Sequence, residues 1–140
     1  MKSDSIPEVF DWVKARAECS LLNVFKALEL GVREDVDNIK GLINPKENIR
    51  FGVESSNRYF SVVRVDNPIT GIGWSVNFRC LLEHITVNLG SDKGEELMFT
   101  ASVTLDNDGR CKLKVGEENL EQWQVRRKAL EGIFFAPRQF

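Results

Sequence analysis

The spacing of apolar residues switches from steps of three and four to steps of two near Asn48, and returns to helical spacing after Gly116. A chain patterned in this way carries helices at its two ends and strands between them, because only a helix or a pleated strand keeps residues so spaced on one face. Strands that follow one another through short turns pair antiparallel, so the pattern points to an α+β domain whose helices cover a meander sheet.

At the first end Ser5 and Glu8 have the spacing of a capping box, with Pro7 in the first turn. From there Phe10, Val13, Ala17, Leu21, Val24 and Leu28 form an apolar stripe, with Asp11, Lys14, Glu18, Lys26 and Glu29 mainly opposite. This predicts one long helix that Gly31 stops, followed by a short second helix over Arg33 to Lys40 that ends at Gly41 and Asn44-Pro45.

In the middle, Arg50 to Glu54 and Arg58 to Asp66 flank the polar turn Ser55-Ser56-Asn57 and predict a hairpin. Asn67-Pro68 and Gly71-Ile72-Gly73 predict a loop. Val76, Phe78, Cys80 and Leu82 share one parity, whereas Ile85, Val87 and Leu89 share the other. Read as one strand, this slip predicts a β-bulge at Glu83 and His84.

The last hairpin can be placed in register. A two-residue loop at Asn107-Asp108 would set Arg110 opposite Leu105 and a charge against the core. A three-residue loop ending on a left-handed Gly109 instead pairs Leu105 with Cys111, Val103 with Leu113 and Ala101 with Val115. It also puts Thr104 beside Lys112 and Ser102 beside Lys114 on the wet face. After Gly116 a closing helix is predicted, acidic at its start (Glu117, Glu118, Glu121) and basic later (Arg126, Arg127, Lys128), as its dipole favours. Its inner stripe is Leu120, Trp123, Leu130 and Phe134, with Val125, Ala129 and Ile133 beside it, until Pro137.

The expected architecture is therefore a single α+β domain over 1–140, with a long N-terminal helix and a C-terminal helix packed on a curved antiparallel meander of about five strands. In architecture it resembles α+β rolls of the cystatin-like kind, a likeness of layout that carries no function.

With 19 basic and 21 acidic residues the formal charge is −2, so no overall positive field draws the chain to nucleic acid. Neither a secretory leader nor an apolar run long enough for a bilayer is legible. The cysteines at 19, 80 and 111 are odd in number and irregularly spaced, which reads as three small buried residues in a reducing compartment. The expected location is cytoplasmic, without membrane contact.

One histidine and no catalytic motif leave little chemistry. His84 beside Glu83 is a candidate acid or base, against the plainer reading of a histidine lodged at a sheet irregularity. No metal set accompanies it, no cofactor motif is present, and Asp106-Asn107-Asp108-Gly109 has hairpin rather than calcium-loop spacing. Arg64 and Arg79 stand inside apolar strands; with Tyr59 and Trp74 they form a candidate ligand set for a carboxylate, against surface arginines whose stems lie on the sheet. Trp123, Phe134, Phe135 and Phe140 make the C-terminal end aromatic enough to need a cover, either the first helix or an interface with a protein partner or a second copy.

Two functions follow as expectations. The first is a non-enzymatic binding protein acting on a protein partner, or on itself as a homodimer, through its sheet face or aromatic C-terminal helix. The second is a roll with an internal pocket for an apolar or carboxylated small molecule, into which His84, Arg79 or Arg64 points as a ligand residue, with weak acid–base catalysis by His84 and Glu83. A nucleic-acid surface of Arg126, Arg127 and Lys128 beside Trp123 ranks below both, since the helix terminus accounts for those charges.

Overall fold

The computed structural model describes residues 10–67 and 72–137. The expected capping box at Ser5, the loop over 68–71 and Phe140 lie outside them. Among the described residues the chain runs α1 (Trp12–Glu18), α2 (Leu21–Leu42), a 3₁₀ turn (Pro45–Glu47), β1 (Arg50–Ser56), β2 (Tyr59–Asn67), β3 (Ile72–Cys80), β4 (Ile85–Ser91), β5 (Gly94–Leu105), β6 (Cys111–Val115), β7 (Glu118–Leu120) and α3 (Gln122–Phe135). The seven strands pair antiparallel in chain order, and β1 and β7 are the two open edges of the sheet.

The helical half departs from expectation. Gly31 does not stop a helix: α2 passes through it and continues to Leu42, and the break lies earlier, at Cys19 and Ser20. Ser20 turns extended and its hydroxyl accepts from the Asn23 amide at 3.2 Å, which starts α2. The glycine serves packing instead. A Cβ on Gly31 would lie 2.6 Å from Arg126 Nη1, so the missing side chain lets the α3 arginine cross α2 and reach Asp35 at 2.7 Å.

Strand parity divides the sheet into a covered and an open face. Phe60 and Val62 of β2, Val76 and Phe78 of β3, Ile85 and Val87 of β4, and Phe99 and Ala101 of β5 meet Val24, Phe25, Leu28, Val32, Val36 and Ile39 of α2 in one core. Val125, Ala129, Leu130 and Ile133 of α3 join them. Phe60 stacks on Phe78 with ring centres 4.4 Å apart, and Phe25 leans on Phe60 at 5.0 Å. The inner stripe of α3 runs through Val125, Ala129 and Ile133, which turns Trp123 outward.

The parity slip at Glu83 and His84 marks a hairpin, not a bulge. Cys80 pairs with Ile85, and residues 81–84 are the connecting loop between β3 and β4. A four-residue loop also swaps parity, so the sequence pattern alone did not separate the two. Splitting this segment, together with the short β7, raises the strand count above the expected five. The register does shift elsewhere: between Val87 and Asn88 the β4–β5 ladder skips Met98, which turns Leu97 onto the open face.

The final hairpin has the expected register, with Leu105 opposite Cys111, Val103 opposite Leu113, Thr104 opposite Lys112 and Ser102 opposite Lys114. Gly109 takes φ +79°, and the Asp106 amide donates to the Arg110 carbonyl at 2.8 Å. Cys111 is corrected, however. It is exposed and bonded to buried Cys19, so these two are not separate thiols in a core; Cys80 remains a free, buried thiol.

Candidate functional site

The four residues expected to share a ligand cleft lie on opposite sides of the sheet. Tyr59 pairs directly with Arg79, and Arg64 directly with Trp74, but the two pairs differ in parity. Tyr59 and Arg79 stand on the open face, whereas Arg64 and Trp74 face the helices.

Arg64 is fully buried beneath the end of α3. Its Nε and Nη2 hold Asp66 at 2.6 and 3.1 Å; Nη1 donates to the carbonyls of Ile133 and Ala136 at 2.7 and 3.0 Å, and Nη2 to that of Pro137 at 3.3 Å. A guanidinium has five N–H donors, and these five bonds use them. The cation also lies 5.3 Å from the Trp74 ring and sits where the helix dipole presents its negative end. Its chemistry is spent on docking α3 to β2.

Arg79 is also engaged. It grips Glu95 through two bonds of 2.8 and 3.0 Å and lies 5.2 Å from the Tyr59 ring. Glu95 accepts in addition from Asn88 at 3.1 Å, and the Arg79 bond, then that of Asn88, holds its carboxyl down to about 2. Glu95 in turn pushes the Arg79 pKa up. Ser61 donates to Asn77 Oδ1 at 2.6 Å, and Tyr59 reaches the same oxygen at 3.4 Å. Gly90 leaves room for this network, since a Cβ there would lie 2.5 Å from Ser75 Oγ. On the open face the guanidinium of Arg79 and the carboxylate of Glu95 are thus paired with each other before any ligand arrives.

His84 lies in the β3–β4 loop beside a shallow hollow formed with Arg58, Cys80, Leu81, Leu82 and Glu83. Arg58 shapes that loop: with φ +59° at the β1–β2 turn, it donates to the carbonyls of Cys80 and Leu81, both at 3.2 Å. Burial pushes the Cys80 thiol up, against the opposing pull of Arg58. The hollow is open, and Leu82 at its rim is almost wholly exposed.

The aromatic residues of the C-terminal helix behave differently, because they gather. Trp123, Phe134 and Phe135 line a groove of about 400 Å³ between α2 and α3, with Leu130 from α3 and Ile39 and Leu42 from α2. Trp123 is 53% exposed, Phe135 69% and Leu42 78%. Phe134 is anchored at the groove's end, edge-on to Phe51 of β1 at 5.3 Å. The polar residues along it carry both signs, Asp35 paired with Arg126 at 2.7 Å and Arg127 with Glu131 at 3.4 Å. A second hollow flanks Trp123 on its other side, lined by Leu120, Gln124 and Lys128.

The α2 wall was not legible as a site. Sequence reading ended the first helix at Gly31, which hid that Asp35, Ile39 and Leu42 continue one helical face toward α3. The available signal was the three-residue step from Ile39 to Leu42. Among the described residues no set of three or more His, Cys, Asp or Glu side chains converges as metal ligands would, and no helix is long and apolar enough to cross a membrane.

No family model, curated protein or solved structure matches the chain.

Proposed function

We propose that the protein is a non-enzymatic binding protein whose docking surface is the groove between α2 and α3, and that a second copy of the chain is the occupant it fits first. The observation that carries this reading is that Trp123, Phe135 and Leu42, all largely exposed, line one groove together with Ile39 and Leu130. Aromatic anchors beside a groove, rimmed by polar groups, are the anatomy of an interface hot spot. The rim is compatible with self-pairing, because Asp35, Glu131, Arg126 and Arg127 sum to no net charge that would repel a second copy.

Sedimentation equilibrium tests the reading. The wild-type chain self-associates with a concentration-dependent mass, and Phe135→Asp or Trp123→Ala weakens that association at least about tenfold, since burying a hot-spot aromatic contributes some 2 kcal/mol or more. A monomer at high concentration in both wild type and variants removes the second copy as occupant. Photo-crosslinking from position 131 then distinguishes a different protein partner from an idle surface.

The small-molecule reading has weaker support. The space between helices and sheet is occupied by Phe25, Phe60, Phe78, Leu28 and Val62. Arg64, Arg79 and Tyr59 are engaged with the protein's own groups, as described above. The cytoplasmic assignment loses the argument that suggested it, because two of the three cysteines are joined.

A further inference from the structure

The bridge between Cys19 and Cys111 links two places that little else connects. Cys19 is the residue at which α1 ends and α2 begins; Cys111 opens β6 after the β5–β6 turn. Their sequence separation is 92 residues. The segment that the bridge secures is weakly held otherwise. None of the residues of α1 is buried, and Trp12 and Val13 face solvent. Just ahead of α1, the Phe10 ring fills the space where a side chain on Gly109 would stand, 2.8 Å from the position of a Cβ there.

The two cysteines are unequal in exposure. Cys19 is 2% exposed, whereas Cys111 is open to solvent. An incoming thiolate therefore reaches Cys111. The group it expels is the Cys19 thiolate, which would form directly before the positive N-terminal end of a 22-residue helix, while the Arg16 guanidinium donates to the Cys19 carbonyl at 3.0 Å. Both features favour departure of that thiolate, and a better leaving thiolate leaves faster.

We propose that the Cys19–Cys111 bridge is a thiol–disulfide exchange site for a dithiol reductant, with Cys111 the sulfur attacked and release of α1 from the β5–β6 turn the consequence. In the first step the reductant's thiolate bonds to the Cys111 sulfur, the Cys19–Cys111 bond breaks, and its electron pair leaves on Cys19. In the second step the reductant's other thiol attacks the mixed disulfide and frees Cys111. The dithiol loses two electrons and two protons and becomes a disulfide, and the two cysteines gain them as thiols. Cys80, buried at the far end of β3, takes no part.

The test uses the full chain purified without reductant. Limited trypsin digestion reads cleavage after Lys14 and Arg16, which lie in α1, before and after treatment with dithiothreitol. Reduction is expected to speed cleavage at these two sites about tenfold or more while the helical circular dichroism and the sites within the sheet stay protected. Reduced glutathione added to the oxidised chain and quenched with acid, followed by peptide mapping, is expected to place the mixed disulfide on Cys111. The variant Cys111→Ser is expected to show the fast cleavage with or without dithiothreitol; should it not fold, reduced wild type supplies the same reading. Unchanged cleavage after reduction, glutathione on Cys19, or general digestion of the whole chain would overturn the proposal, the last because it makes the bridge a staple of the entire fold.

Discussion

Arg64 Nε lies 2.6 Å from Asp66 Oδ1, and both side chains are wholly shielded from solvent on one face of β2. Two residues of like parity on a strand project side by side, so the pair forms within the strand and then offers its remaining donors to the end of α3. The cation thus joins a sheet strand to the last turn of a helix about seventy residues later, through carbonyls of Ile133 and Ala136.

Removing that cation should be costly. Arg64→Met takes away the two bonds to Asp66 and those to the helix carbonyls, a loss of about 3–5 kcal/mol for a buried pair deprived of one partner. Arg64→Lys is expected to recover only part of this, since a single ammonium does not replace a planar fork. The comparison is Arg79→Ala, whose ion pair with Glu95 is more than a third exposed and worth under about 1 kcal/mol. Urea unfolding midpoints compare the three, and equal losses for Arg64→Met and Arg79→Ala would refute the ranking.

The packing role of Gly31 predicts a change of sign. In an open helix position Gly→Ala stabilises by about 0.5–1 kcal/mol. Here the new Cβ would strike Arg126 at 2.6 Å and displace it from Asp35. Gly31→Ala is therefore expected to give no gain in the wild type and to stabilise in an Arg126→Ala background. A double-mutant cycle by thermal unfolding measures the coupling, and simple additivity would show that the arginine does not need the gap.

Glu95 sets an acid dependence. Its carboxyl is held at about 2, below its ordinary value, chiefly by Arg79 and then Asn88. A depressed carboxylate stabilises the fold above its unfolded pKa of about 4.3, and that contribution disappears as pH falls toward 2. Because the pair is partly exposed, the amount is below about 1 kcal/mol and shrinks further in salt. In Glu95→Gln this slice of the slope between pH 4.3 and 2 is expected to vanish, as read by denaturant titrations at fixed pH.

The disulfide contributes to global stability as well as to holding α1. Closing a loop of this length lowers the entropy of the unfolded chain, and loss of such a bridge costs roughly 2–5 kcal/mol. Cys111→Ser is expected to unfold at a lower midpoint than the oxidised wild type and at about the same midpoint as the reduced wild type. A midpoint for oxidised wild type equal to that of the variant would mean that the bridge does not form in solution.

Local patterns were read well wherever one strand or turn carries its own instruction. Gly109 and the parities of Val103, Leu105, Cys111 and Leu113 specify a hairpin register because a slip by one residue would expose the whole apolar set. The same logic failed at Glu83 and His84, where a turn and a bulge produce one parity pattern and only pairing of Cys80 with Ile85 separates them. It also placed Tyr59 and Arg64 in one cleft, although five residues apart on a strand means opposite faces.

Period and turn chemistry thus determined the class of this chain, its antiparallel order and its last hairpin, since these depend on neighbours within a few residues. Tertiary structure decided what distance in sequence conceals. It joined Cys19 to Cys111, laid Arg126 across α2 in the space that Gly31 leaves, and directed three of the five Arg64 donors to the end of α3. It also set Leu42 beside Phe135 to make a groove. Each of these is a contact between residues far apart along the chain, and the partner in such a contact is chosen by how helices and sheet pack rather than by any local preference.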